Sequence, residues 1–309
     1  MTTNRRDVVF GLAGAAAITP VRTMARPMLD KGTHVVLLGT KGGPVPSLAA
    51  GEPANALVVD GVPYVIDCGN GVAFQLLKAG FTADQVPAIF ITHHHFDHNA
   101  DMGTLIMTAW QRGRKERIDL IAPPPARRMM DHFLSYSAPD IDVRVREEGR
   151  ARLATQIEVH EASAPGTVFE DERIKVRATI VDHYLVKPAL AYRFDTADRS
   201  VVFSGDTRYS PALCDLARGA DILVHEAIYM PALAEIGHIN AAAPTMAEHL
   251  ERSHTAAEDA GRLAQEAGVK LLVLNHLVPS DRYSDSVWID TARRYFTGEV
   301  AVGHDLLVF

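Results

Sequence analysis

From residue 34 onward, short apolar runs rich in β-branched residues alternate with segments of helical periodicity. HVVLLGT (34–40), ALVVDG (56–61) and PYVID (63–67) are broken by Gly, Pro and Asn, which predicts three strands. GVAFQLLKAG reads as a helix capped by Asn70 and stopped by Gly80. PAIFIT (87–92) is a buried strand, and a helix follows through DMGTLIMTAW. The middle of the chain is β-patterned in ARLATQIEVHEA, ERIKVRATIVDH and LAYRFDTADRSVVFSGDT, the last a hairpin turning at Asp198-Arg199. PALCDLARGA and TAAEDAGRLAQEAG are helical, the second opened by a capping box of Thr255 and Glu258. KLLVLNH is a strand, VWIDTARRYF a helix, and EVAVGHDLLVF the closing strands. There is no internal repeat and no long linker, so residues 26–309 are expected to form one domain. Strand-rich halves with helices outside them predict an α/β fold, two sheets face to face between outer helix layers.

The first 25 residues follow a different pattern. Arg5-Arg6 precede the apolar run Val8 to Ile18, which is too short to span a membrane and fits the apolar region of a signal peptide. The paired arginines resemble a twin-arginine export signal, and Thr23 and Ala25 mark a cleavage point before Arg26. The expectation is a periplasmic or secreted protein with no stable membrane anchor after cleavage.

Composition changes this picture little. Apolar content of 47% and charged content of 22% in 309 residues are ordinary for a globular protein. A net charge of −7 counts against a surface built to hold nucleic acid. Cys68 and Cys214 have no metal-binding spacing and read as two buried free thiols. The 14 histidines, however, are unevenly spread.

The run ITHHHFDHNAD (91–101) concentrates them. Side chains two apart in extended chain point the same way, so His93 and His95 converge while His94 points elsewhere. Asp97 and His98 follow in a turn and can approach from another direction. Imidazole nitrogens and carboxylate oxygens at this density suit zinc or a similar first-row cation.

His93-x-His95-x-Asp97-His98 resembles the signature of the metallo-β-lactamase superfamily of hydrolases. LLGT, VIDCGNG, VDH before LAYRF, FSGDT, LVHEA, SHTAAEDAG and LNH follow in the order of its tRNase Z and arylsulfatase-like branch. The resemblance implies a four-layer αββα sandwich with two Zn2+ ions per chain, or Mn2+ or Fe2+ in their place. His93, His95 and His183 would hold one metal, Asp97, His98 and His276 the other, and Asp206 would bridge both. Asp67 matches the aspartate that orients ligands, and Glu226 would orient His254 as general acid. His225 is assigned no role.

A metal-bridging hydroxide would be the nucleophile, and the expected substrate is a small ester, an aryl sulfate or a phosphate ester. A tRNase Z-like ribonuclease or other nuclease, a lactonase and a non-catalytic metal-binding protein are the alternatives. No tRNA is expected as partner, on three grounds. Only one hairpin separates Tyr192-Arg193 from Gly205-Asp206, where a tRNA-gripping arm would sit. The loop KGGPVPSLAAGEPAN keeps Asn55 but lacks basic residues before it and adds Glu52, and an exported protein would not meet tRNA. A homodimer is the assembly expected from the family.

Overall fold

A computed structural model describes residues 29–233 and 243–309; the twin-arginine segment lies outside these residues. Two sheets carry the fold. The first runs β1 (Thr33–Gly39), β2 (Ala54–Val59), β3 (Val62–Ile66), β4 (Ala88–Phe90), β5 (Ile118–Ala122) and β6 (Ile157–Glu161). The second runs β7 (Gly166–Glu170), β8 (Lys175–His183), β9 (Val186–Asp195), β10 (Ser200–Phe203), β11 (Ile222–Ile228), β12 (Leu271–Val278) and β13 (Glu299–Val302). Each is antiparallel at one end, and parallel from β3 to β6 and from β10 to β13.

The near-continuous apolar runs follow from burial on both faces. In β1, Val35 and Leu37 enter the core between the sheets, while Val36 and Leu38 enter the core behind the first sheet. Helices α1 (Val72–Lys78), α2 (Phe96–Asn99), α3 (Met102–Gln111) and α4 (Ala126–Glu148) belong to the first half. Leu76, Ile106 and Met130 of α1, α3 and α4 close the outer core. In the second half, α5 (Pro211–Ala217), α6 (Met246–Ser253), α7 (Ala257–Ala267) and α8 (Asp285–Ala292) follow, with Leu213, Leu263 and Trp288 packed behind the second sheet. The predicted four-layer αββα sandwich is what the chain forms. Between the sheets, Phe90 meets Phe169, Tyr192 and Phe194 edge-on at centroid distances of 5.6, 5.6 and 4.9 Å. The Tyr192 hydroxyl donates to the Ile91 carbonyl at 2.8 Å, fixing the chain just before the histidine run.

One helix falls in a stretch to which the sequence reading assigns no element, and two predicted helix caps give way to tertiary contacts. The long helix α4 has no strong apolar stripe, because only Ala126, Met130 and Ile141 are buried and Pro139 lies within it. Its exposed face is held instead by Arg144, paired with Asp140 and Glu148 one turn either way. Asn70 does not cap α1; Gly71, at φ 89°, occupies that position and donates its N–H to Asp101. Thr255 forms no capping box, because its hydroxyl donates to the Thr207 carbonyl at 2.5 Å and α7 starts one residue later. Cys68 and Cys214 are free and buried, as expected.

Gly261 lets α7 lie directly on α8: a Cβ there would stand 2.2 Å from the Ala292 carbonyl oxygen. Gly261→Ala is therefore expected to destabilise the fold by about 1–3 kcal/mol despite alanine's better helix propensity. The check is thermal unfolding of the metal-loaded protein, where an unchanged or higher Tm would contradict it.

Candidate metal centre

The seven predicted ligands meet at one edge of the sandwich, where strands of both sheets end. Chain leaving β4 stays extended through His95, so His93 and His95 share a direction, and α2 then turns Asp97 and His98 toward the same point. His183 ends β8, and Asp206 follows β10. Gly205 makes that approach feasible: its φ is +57°, and a Cβ would stand 2.7 Å from the Leu190 carbonyl oxygen. His276 lies in β12 at an irregularity, where Asn275 pairs with Glu226 and Leu277 with Ala227. Left without a partner at φ 45°, it is a bulge residue whose side chain is re-aimed at the site.

Asp206 is the hub. Its Oδ2 lies 3.3 Å from His276 Nε2, 3.4 Å from His98 Nε2, 3.8 Å from His93 Nε2 and 3.9 Å from His183 Nε2. The side chains sort into two adjoining clusters, His93, His95, His183 and Asp206 on one side and Asp97, His98 and His276 on the other. Within the first, His183 Nε2 faces His95 Nδ1 at 3.1 Å. Across the second, Asp97 Oδ2 is 3.6 Å from His276 Nε2 and accepts from the Gly43 N–H at 2.9 Å.

These residues fit a pair of cations. His93 Nε2, His98 Nε2, His276 Nε2 and Asp206 Oδ1 are buried without a hydrogen-bond partner, a costly arrangement unless something positive binds them. Burial holds His93 well below the usual imidazole range and takes His183 down to about 4, which leaves neutral rings with free lone pairs. Burial works the same way on His98, but Asp206, Asp67 and Asp97 override it and raise that ring well above its usual range. The three carboxylates demand a positive charge there, which a proton or a metal can supply. Burial would raise Asp206 too, yet His276 and His98 hold its carboxyl well below the ordinary value.

A second set of contacts aims the ligands. Asp67 Oδ2 accepts from His98 Nδ1 at 2.8 Å, while its Oδ1 accepts the Thr92 N–H at 2.8 Å. Thr92 Oγ1 lies 3.1 Å from His93 Nδ1, and the Ser253 carbonyl accepts from His183 Nδ1 at 2.8 Å. Asp67 holds φ 60° to make these contacts. Asp67→Asn cannot accept from both partners and is expected to weaken metal binding about 10–100-fold, measured by competition with a chromogenic chelator. Unchanged affinity would reduce Asp67 to a turn residue. His94 turns away as expected, its Nε2 donating to the Pro123 carbonyl at 2.7 Å.

Beside the clusters, His254 Nδ1 donates to Glu226 Oε2 at 3.0 Å. Glu226 Oε1 accepts the N–H groups of Thr207 at 2.9 Å and Thr255 at 3.2 Å, so the carboxylate is locked. Burial lowers the His254 pKa, but Glu226 and Asp206 outweigh it and raise the ring to about 9. His254 Nδ1 also stands 3.8 Å from Asp206, and with Asp206 and His276 it forms a third group whose ligand atoms lie close together. His225 is fully buried, and among the described residues its Nδ1 bonds the Glu226 carbonyl. Beneath the site, Asn275 Nδ2 donates to Asn55 Oδ1 at 2.9 Å, joining the two sheets.

Thr92, Ser253 and Asn275 carry no sequence signal except adjacency, standing next to His93, His254 and His276. Phe96 and His249 were equally silent, and both line an open cleft of about 710 Å3 that leads to Asp206.

A family model described as the Beta-lactamase superfamily domain matches residues 64–277. A ribonuclease Z of Mycobacterium sp. (strain KMS) is 33% identical over 276 residues, covering 88% of this chain and 94% of its own. A ribonuclease Z of Mycobacterium bovis (strain BCG / Pasteur 1173P2) is 29% identical over 277 residues, at 88% and 96% coverage. Among solved structures, the short form of human tRNase Z aligns with a TM-score of 0.64 and 21% identity, over 89% of this chain and 98% of that one. YhfI, a metallo-beta-lactamase fold protein from Bacillus subtilis, gives 0.65 and 20%, over 90% and 100%.

These relatives overturn one expectation, that of a small-molecule ester as substrate with no tRNA as partner. The reasons for it lay in peripheral segments, a hairpin, a loop and the N-terminus, whereas the identity to ribonucleases Z extends over most of the chain. With the family model over the ligand-bearing strands and these relatives along the sequence, the chain belongs to the metallo-β-lactamase superfamily of hydrolases.

Proposed function

We propose that this chain is a two-metal phosphodiesterase that cleaves RNA, an enzyme of the ribonuclease Z kind. The observation that carries the reading is the buried His254–Glu226 pair beside the ligand clusters. An activated phenolate leaves without a proton, whereas a ribose alkoxide needs one at the moment of cleavage. A locked carboxylate holding an imidazole in its protonated form suits the second case. The names of the 33% and 29% identical relatives point the same way.

His93, His95 and His183 would hold one cation and Asp97, His98 and His276 the other, with Asp206 shared. The donor set of imidazoles and carboxylates favours zinc. Bound there, the cations supply Lewis acidity to the phosphoryl oxygens and make a water acidic enough to attack near neutral pH. The remaining work falls to the chain. Asp67, Thr92 and the Ser253 carbonyl fix the imidazole rings, so little reorganises during the reaction. The Gly43 N–H restrains Asp97. His254 delivers its proton to the departing oxygen, and Glu226 stabilises the charged ring before and orients it throughout.

The test is a metal-loaded assay of the full chain with an RNA hairpin carrying a single-stranded 3′ tail, bis-p-nitrophenyl phosphate and p-nitrophenyl sulfate. Cleavage of the RNA and the phosphate diester is expected. Turnover of the sulfate with the RNA left intact would overthrow the reading.

A further inference from the structure

The cleft above the metal clusters has an unusual wall for a protein that handles a polyanion. Phe96 opens α2 between the ligand residues His95 and Asp97, and its ring is 68% exposed while lining the cleft. A large apolar ring in that position contributes little to the core. Pro44 and Val45, the latter 70% exposed, line the same cleft, as do Met246 and Leu250 of α6.

Two cationic side chains, Lys41 and Arg282, line the cleft. The Lys41 ammonium donates to the carbonyls of Gly42 at 3.0 Å and Gly43 at 2.7 Å. The whole chain carries a net charge of −7. Tight grip on a phosphate backbone normally needs several free Lys or Arg side chains. Aromatic stacking is the other general source of affinity for nucleic acid, and it requires unpaired bases, because a duplex hides their faces.

We propose that Phe96 is the stacking platform for the base next to the scissile phosphodiester. The placement is what gives the residue this role. It lies between ligands of the two clusters, so a phosphodiester held at the metals brings its neighbouring base over this ring. Pro44, Val45, Met246 and Leu250 line the same cleft and offer the base further apolar contact. This inference rests on the ribonuclease reading for its substrate, but stacking can be measured without turnover.

The test uses the full metal-loaded chain in a His254→Ala background, which keeps all seven ligands and slows cleavage. A hairpin RNA with 2-aminopurine at each 3′-tail position in turn serves as the probe. Fluorescence quenching on binding at one position is expected, lost in Phe96→Ala and restored in Phe96→Trp. With His254 intact, Phe96→Ala should raise KM for the tailed hairpin about tenfold or more. On a substrate abasic at the quenched position, the parent and Phe96→Ala should have equal KM. Pairing the tail with a complementary strand should remove the quenching. Equal quenching with and without Phe96, or an equal Phe96→Ala penalty on the abasic substrate, would refute the platform. If the parent enzyme cleaves no RNA, the ribonuclease reading falls, while the quenching pattern still decides the fate of the platform.

Discussion

Asp206→Ala should abolish turnover and strip the site of at least one metal. Its Oδ2 stands within 3.9 Å of four imidazole nitrogens drawn from both clusters, a position no other carboxylate in the site shares. Without it, each cluster keeps three ligands but loses the shared anion that offsets two dications held close together. Metal content measured by atomic emission is expected to fall from two per chain to one or fewer. Activity on RNA and on bis-p-nitrophenyl phosphate should fall by more than about 10³-fold, whatever the leaving group, because both attack and charge stabilisation depend on the metals. Circular dichroism serves as the control for folding. A variant that retains two metals and loses less than tenfold in activity would show that Asp206 is not the bridging residue.

His254→Ala should behave differently, and the contrast separates proton transfer from metal binding. The ring is held by Glu226 at 3.0 Å and raised to about 9, so it is charged at neutral pH in the metal-free protein; bound dications would lower this value by repulsion. Loss of a positioned general acid costs about 10²–10⁴-fold where the leaving group needs a proton. That loss is expected on RNA. On bis-p-nitrophenyl phosphate, whose p-nitrophenolate departs unaided, the loss should be under about tenfold. Metal content should stay at two. Glu226→Gln should reproduce the pattern more weakly, since the amide can still contact Nδ1 but cannot stabilise the charged ring. Equal losses on both substrates would remove His254 from proton transfer.

The metal site is legible in the sequence because its geometry is local where it is densest. His93, His95, Asp97 and His98 fall within six residues, and the switch from extended chain to the turn of α2 sorts them by spacing alone. His183, Asp206 and His276 are single residues in ordinary surroundings and become legible only through the order of motifs around them. The re-aiming of His276 by a bulge leaves no mark on the pattern of KLLVLNH, which reads as a regular strand. Elements governed by tertiary contact are the ones that escape. The face of α4 is mostly solvent, and the hydroxyl of Thr255 is taken by Thr207 before it can cap a helix. The partner is the least legible feature. The short turn between β9 and β10 is present as predicted, bridged by the Thr196 N–H and the Arg199 carbonyl, yet the relatives are ribonucleases Z. A peripheral hairpin does not report the substrate class.

The ligand set is divided between the sheets. His93, His95, Asp97 and His98 follow a strand of the first sheet, while His183, Asp206 and His276 come from the second. Cations bound there act as a clasp at one edge of the sandwich, and metal activity becomes a thermodynamic coordinate of folding. Free metal at 100 times its dissociation constant should stabilise the native state by about 2.7 kcal/mol per site, as a shift in unfolding midpoint titrated with buffered zinc. Chelation should first release the strand ends that carry the ligands, with amide exchange accelerating there ahead of the Phe90 aromatic core. In a metal-starved compartment, the chain would lose catalysis and resistance to proteolysis in the same step.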